Sequence, residues 1–284
     1  MLRKPLRQFI ESYARAPYHP GKWRIVDVLL RLGGIEAYER GSSTIVERGG
    51  LKWSLDPECA VQRRLLYHGT LDVHDSDALL SGIGAGKTFF DVGSYFGYYA
   101  LCAAKQGAQS FAFEPVPANF ELLEKHAQLN SQLGVTVLPM AVSDADGEVA
   151  FNLPPAGNRG TGAMDSGSSP DGQRTVVEAV SIDSFAGSRN LQRLDAMKID
   201  VEGAELKVLA GARQSIARFR PRMLIEVNEP CLVRFGESPE TLVSCLESMK
   251  YKVCRVTRQG LQPFQGLEPG EDYANVMCVP EEQP

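Results

Sequence analysis

The chain has 284 residues, 43% of them hydrophobic and 23% charged, the proportions of a globular protein rather than a fibrous or low-complexity one. Its net charge of −5 offers no overall electrostatic case for nucleic-acid binding, and no apolar run approaches the roughly 20 residues that span a bilayer. Six cysteines (Cys59, Cys102, Cys231, Cys245, Cys254 and Cys278) show no C-x-x-C pairing, which argues against zinc and for reduced thiols in a cytoplasmic protein.

The first stretch, about 40 residues, is locally basic, with Arg3, Lys4, Arg7, Arg15, Lys22, Arg24 and Arg31. It has no apolar core or cleavage pattern of a secretory signal. Leu6, Phe9, Ile10 and Tyr13 fall on one helical face, and Ile25, Val28, Leu29 and Leu32 make a second stripe. A helical lid or homodimer element is the main reading; docking to a membrane surface, an acidic partner or a carrier is the alternative. Two alternating runs joined at Gly49-Gly50 predict a hairpin over Thr44–Leu55. Residues 1–71 therefore read as an N-terminal extension and 72–284 as the main domain.

From Asp77–Ile83, which looks helical, strand and helix patterns alternate. Thr88–Val92 reads as a strand, Tyr98–Lys105 as a helix, Ser110–Glu114 as a strand, Ala118–Gln132 as a helix and Val135–Val142 as a strand. Glu148–Leu153 and Thr175–Ser181 are further strands, separated by a Gly/Ser/Pro-rich stretch from Pro154 to Arg174. There Asn158, Arg159 and Thr161 are candidates to cover an active face, with plain surface loop as the alternative. Leu194–Ile199 and Arg222–Val227 are strands, with a helix through Leu206, Leu209 and Ala210 between them. Pro239–Met249 is a helix, and Tyr251–Val256 and Ala274–Val279 are final strands with no evident helix between them. Repeated β-α units predict a mostly parallel sheet covered on both faces, with an antiparallel ending at one edge.

The chemistry-bearing residues fall at the carboxyl ends of these strands, where a doubly wound sheet binds ligands. Asp91, Gly93 and Gly97 end the first strand and form a glycine turn into a helix, suited to a nucleotide-like ligand. A third closely spaced glycine is missing, which disfavours a nicotinamide dehydrogenase. Glu114 ends the second strand 23 residues on, placed to accept two ribose hydroxyls, with Pro115 and Pro117 stiffening the exit. The small and apolar residues of Ala141-Val142-Ser143 can wall an adenine ring, with Ser143 or Asp144 at its amino group, although Asp144–Gly147 is also an ordinary turn. Asp200 and Glu202 follow the fourth strand and Glu226 ends the fifth. Three such acids suit a general base for a hydroxyl, or Mg²⁺ held through oxygen ligands, and the base reading is preferred to the metal. Asp200 needs a partner, with Lys198, a ligand ammonium or an acceptor hydroxyl as candidates. Glu205 reads as a solvated acid in the first turn of its helix. His68 and His74 are alternative bases.

With these blocks in order, the chain resembles the FkbM family of S-adenosylmethionine (SAM) dependent methyltransferases. The resemblance runs from about Asp72 to Val279. It is carried by Asp91-Val-Gly-Ser-Tyr-Phe-Gly-Tyr-Tyr, Phe113-Glu-Pro-Val-Pro-Ala-Asn119, Ala141-Val-Ser-Asp-Ala-Asp-Gly147, Lys198-Ile-Asp-Val-Glu-Gly-Ala-Glu205 with Val208-Leu-Ala-Gly-Ala212, and Leu224-Ile-Glu226. It implies a Rossmann-like Class I methyltransferase fold, a mostly parallel seven-stranded sheet with an antiparallel final strand. It also implies O-methylation of a hydroxyl on a small natural product, sugar or glycan. SAM contacts are then expected from Asp72, Asp91, Gly93, Ser94, Tyr95, Gly97, Glu114, Pro115, Asn119, Ala141, Val142, Ser143 and Asp200. Asp200, Glu202 and Glu226 are the candidate catalytic acids. The family's first motif usually reads Asp-Val-Gly-Ala-Asn, and this chain departs from it at Ser94 and Tyr95. Leu71-Asp72 stands where the family tends to carry an aromatic residue and Glu. An N-methyltransferase and a non-catalytic SAM-binding scaffold are the rival readings.

Overall fold

The computed structural model describes residues 43–153, 162–167 and 174–281, together with residues 9, 10, 12, 13, 25, 28 and 29, which are helical. The basic residues named in the N-terminal segment, and Asn158, Arg159 and Thr161, lie outside the described residues. The chain forms two compact units, one ending at Asp72 and the other beginning at Val73.

In the first unit, β1 (Thr44–Arg48) and β2 (Leu51–Leu55) make the expected hairpin. Gly49 and Gly50 both take positive φ, 59° and 71°, as the tight turn between right-twisted strands requires. A helix absent from the sequence reading follows, α1 (Ala60–His68), closed by Gly69 in the left-handed conformation with its N–H on the Leu65 carbonyl. Its pattern is masked because Gln62 is buried, its side chain accepting the Asp56 N–H at 2.8 Å.

The second unit opens with α2 (Val73–Leu80) and continues β3 (Thr88–Val92), α3 (Tyr98–Lys105), β4 (Gln109–Phe113), α4 (Pro117–Leu129) and β5 (Val135–Leu138). Pro117 takes the first position of α4, where its missing N–H is not needed. The expected strand 135–142 is two strands: Pro139 has no N–H for a ladder, and β6 (Ala141–Val142) joins another sheet. That smaller sheet is completed by β7 (Gly147–Asn152), β8 (Ala163–Met164) and β9 (Arg174–Val180), in the order β6-β9-β7-β8. Then come α5 (Ile182–Ser188), β10 (Ala196–Ile199), α6 (Glu205–Ala210), α7 (Arg213–Phe219), β11 (Arg222–Asn228), α8 (Glu229–Arg234) and α9 (Pro239–Ser248). A reciprocal cap between Ser238 and Thr241 starts α9. The chain ends with β12 (Tyr251–Thr257), β13 (Gly260–Pro263) and β14 (Tyr273–Pro280).

The large sheet has the order β13-β12-β14-β11-β10-β3-β4-β5. β5, β4, β3, β10 and β11 are parallel to one another, and β14 runs antiparallel between β11 and β12. The fold is thus the expected α/β, mostly parallel sheet, with two corrections at its end. The sheet has eight strands because Gly260 reverses the chain with φ 105° and the Gln259–Gly270 stretch contributes β13. The last strand is interior, and β13 is the edge.

Side-chain alternation sorts the sheet's two faces. Phe90, Val92, Met197, Ile199, Met223, Ile225, Val227, Val276 and Cys278 share one apolar core. The alternate positions carry Asp91, Lys198, Glu226 and Asn275: Lys198 is in register with Asp91 and Leu224, and Glu226 with Asn275. α2 packs over β10, β11 and β14. β3 lies between β4 and β10, so the winding reverses at its carboxyl end and leaves a crevice there.

Candidate active site

The crevice is a cleft whose empty space, open mouth included, is about 460 Å³. Gly93 and Tyr95 line it from the turn after β3, Glu114 and Pro115 from the end of β4, Asn119 from the first turn of α4, Ala141 and Val142 from β6, and Asp200 from the end of β10. The sequence reading missed Phe113, Met140, Phe151, Gly162, Met164 and Val201, which complete the wall. Phe151 and Met164 belong to the small sheet, and they pack with Val116, Ala141 and Ala204 in a second apolar cluster. Only the apolar position of Phe151 in an alternating strand signalled it; nothing local marks Met164.

The turn after β3 is built on backbone contact. Gly93 has φ 79°, and a Cβ there would stand 1.8 Å from the Asp200 carbonyl oxygen, so the β3 and β10 loops touch main chain to main chain. Gly97, at φ 86°, opens α3, and a Cβ on it would meet Leu123 at 2.4 Å. Asp91 is buried and accepts the Ala100 N–H at 2.9 Å, serving the start of α3 rather than lining the cleft. Burial lifts its carboxyl to about 7, against the Ala100 bond and the nearby Lys198 charge. Ser94, also buried, donates its hydroxyl to the Asp91 and Phe113 carbonyls at 2.7 and 3.2 Å. The departure from the family's motif thus closes the turn at Ser94, while Tyr95, held at φ 51°, faces the cleft.

Glu114 is only 4% exposed. One of its oxygens accepts the Tyr95 N–H at 2.8 Å, the other the Val116 N–H at 2.9 Å with Asn119 Nδ2 at 3.5 Å. Burial raises the carboxyl to about 7, with these bonds pulling the other way. Ser143 donates its hydroxyl to Asp144 at 2.8 Å and lies 3.9 Å from the sulfur of the cleft-lining Met164. Asp72 belongs to the N-terminal unit, where it pairs with Arg64 at 3.2 Å.

The three candidate catalytic acids converge: carboxylate oxygens of Asp200, Glu202 and Glu226 lie within 4.8 Å of one another. Asp200 has the partner that its strand-end position demanded, Lys198 Nζ at 3.2 Å. Lys198 is 3% exposed and also donates to Asn275 Oδ1 at 3.2 Å. Burial opposes its charge, but Asp200, Glu226 and Asp91 outweigh that and hold its pKa above the ordinary value. A buried ammonium therefore already supplies counter-charge beneath the acids. Burial raises the pKa of Glu226, helped by Asp200 and Glu202 and opposed by Lys198, and Asn228 Nδ2 donates to it at 3.2 Å. Glu202, at φ 55°, accepts the Cys231 thiol at 3.1 Å, and burial followed by Asp200 raises its pKa.

Glu205 corrects the sequence reading. It is fully buried rather than solvated: the glycine loop after β10 leaves the Val201 and Gly203 N–H groups without ladder partners, and one Glu205 oxygen takes both at 3.2 Å. Its pKa rises to about 7 through desolvation. His74 is exposed on α2, and His68 ends α1 in the N-terminal unit. Among the described residues no helix is long and apolar enough to cross a membrane, and all six cysteines are free.

Comparison with known proteins gives a relative 32% identical over 141 residues, the hexuronic acid methyltransferase AglP of Haloferax volcanii, with 49% of this chain and 55% of that protein aligned. The match thus spans about half the length of the Haloferax protein. Methyltransferase sdnD of Sordaria araneosa is 25% identical over 206 residues, 61% of this chain and 78% of that one. A crystal structure of methyltransferase FkbM from Methylobacillus flagellatus aligns with 97% of this chain and 58% of its own, at 15% identity and a TM-score of 0.44. The Methyltransferase FkbM domain matches residues 91–253, from the first glycine turn to β12. That match takes in more than half of the chain and every cleft-lining residue named above, and the protein belongs to the FkbM methyltransferase family.

Proposed function

We propose that the protein is a SAM-dependent O-methyltransferase acting on a hydroxyl of a sugar, a glycan or a small natural product. One observation carries this: a carboxylate at the end of β4 and another at the end of β10 open onto one cleft, astride the glycine turn and beside an apolar wall. The residues fit SAM. One Glu114 oxygen takes the Tyr95 N–H and keeps a lone pair for a ribose hydroxyl. The other takes the Val116 N–H and the longer 3.5 Å contact of Asn119 Nδ2, which a second hydroxyl would replace. Met140, Ala141, Val142, Phe151 and Met164 form a slot of adenine character. Asp200, Gly93 and Tyr95 would hold the methionine end. When bound, the cofactor supplies an electrophilic methyl group on a sulfonium.

The chain's part is alignment, exclusion of water and proton management. Asp200, Glu202 and Glu226 accept hydrogen bonds from an acceptor hydroxyl. Glu226 suits the base: its proton affinity is raised by burial and by its acidic neighbours, while Lys198 Nζ sits 3.2 Å from the Asp200 carboxylate. The Haloferax relative, named for a hexuronic acid, supports a sugar-like acceptor.

The test uses labelled SAM with purified protein and fractionated glycans and metabolites, followed by mass analysis of the product and its stability to acid and base. Base-stable label on a hydroxyl, lost by about 100-fold or more in Asp200→Asn, is the expected result. SAM binding with no labelled acceptor would favour the non-catalytic scaffold, and label on nitrogen the N-methyltransferase.

A further inference from the structure

A line of side chains runs from the cleft along one face of the sheet to α2. Lys198 Nζ reaches Asp200 Oδ2 at 3.2 Å and Asn275 Oδ1 at 3.2 Å, and Asn275 Nδ2 donates to Asp75 Oδ2 at 3.0 Å. The two ends of the Asn275 amide are thereby assigned, its oxygen to the ammonium and its nitrogen to the carboxylate. These groups come from β10, β14 and α2, and 200 residues separate Asp75 from Asn275. Their meeting follows from the insertion of β14 beside β11, which sets Asn275 across from Glu226 on the face that carries Lys198. The Tyr99 ring of α3 lies 5.9 Å from Lys198 Nζ.

We propose that Lys198, oriented by Asn275 and through it by Asp75, is a positioning residue that fixes the Asp200 carboxylate at the wall of the cleft and divides the acid cluster into a fixed anion and a proton acceptor. The inference rests on the O-methyltransferase reading of the same site. Its physical basis is the arrangement of charge. Lys198 is faced by Asp200 from its own strand, Glu226 from β11 and Asp91 from β3, with the Tyr99 ring from α3 and the Asn275 amide from β14. A mobile ammonium would distribute its attraction among the three acids. An ammonium tethered at 3.2 Å to both Asp200 and Asn275 favours one of them. The proton of the acceptor hydroxyl then passes to Glu226 as the new O–CH₃ bond forms and the S–CH₃ bond breaks. Asp200 stays hydrogen-bonded to Lys198 throughout.

Three variants of the full-length protein test this: Asn275→Ala, Lys198→Met and Lys198→Arg. The readouts are kcat and KM across pH, affinity for S-adenosylhomocysteine by calorimetry, and thermal unfolding. Asn275→Ala should lower kcat about 10-fold with KM and S-adenosylhomocysteine affinity within about 3-fold of wild type. Lys198→Met should lower kcat about 100-fold and move the acid limb of the kcat profile upward, because Lys198 opposes the rise in the Glu226 pKa. Lys198→Arg should recover part of the loss. Wild-type kcat and pH profile in Asn275→Ala overturns the proposal, as does a kcat–pH profile unmoved by Lys198→Met in folded protein. If Lys198→Met does not fold, Asn275→Ala decides alone. A wild-type protein that transfers no methyl group to a hydroxyl instead overturns the reading beneath the proposal.

Discussion

At the scale of single residues, the site depends on positions where a side chain is excluded or a charge is buried. Gly93 is the sharpest of the first kind. Its φ of 79° is unfavourable for other residues, and a Cβ would fall 1.8 Å from the Asp200 carbonyl. Gly93→Ala should therefore destabilise the protein by more than about 2 kcal/mol and weaken S-adenosylhomocysteine binding at least about 10-fold. Chemical denaturation and calorimetry read both; a variant of wild-type stability would show that the loops part easily. Glu205 is the second kind. Its carboxyl ionises at about 4.5 in an ordinary setting and at about 7 when folded. The folded protein therefore holds a proton that the unfolded chain gives up. The associated stability is complete below the lower value and is lost as pH rises toward 7. Glu205→Gln keeps a carbonyl oxygen for the Val201 and Gly203 N–H groups and removes the ionisation. Urea unfolding between about pH 5 and pH 8 should show the fall in stability reduced by about 1–3 kcal/mol, while Asp91 and Glu114 continue to contribute theirs. An unaltered pH slope would count against burial as the cause.

At the scale of elements, the β-α rhythm was legible because each parallel strand is a short apolar run ending in a polar or glycine turn. The acids at those ends were legible for the same reason. What escaped was information held between distant segments. Pro139 alone marks where the strand 135–142 divides between two sheets. α1 was hidden by a buried glutamine, and Asn275 and Asp75 carry no local sign of the contact they share. The burial of Glu205 was missed because a first-turn acid and a loop-capping acid have the same sequence signature. The antiparallel ending was legible, but its order was not: β14 lies inside and β13 outside. That order sets the sensitivity of the two strands. Met277 on β14 is 1% exposed and Leu261 on β13 41%. Met277→Ala should cost about 2–5 kcal/mol, and Leu261→Lys should stay within about 0.5 kcal/mol of wild type. Equal losses in denaturant melts would mean that β13 is held more tightly than its exposure indicates.

At the scale of the whole molecule, one sheet supports both halves of the chemistry proposed here. The nucleotide-like half of the cleft belongs to β3 and β4, and the acid cluster to β10 and β11. The seam between them is the contact of Gly93 with the Asp200 backbone, where no side chain cushions one loop from the other. Two loops in such contact are expected to shift together, so that filling one half of the cleft would alter the other. The outcome expected is a compulsory order of addition, with the methyl donor entering before the acceptor. Initial-rate studies should find S-adenosylhomocysteine competitive against the donor and noncompetitive against the acceptor. Competitive inhibition against both would mean that the seam gives way, and that the two halves fill at random.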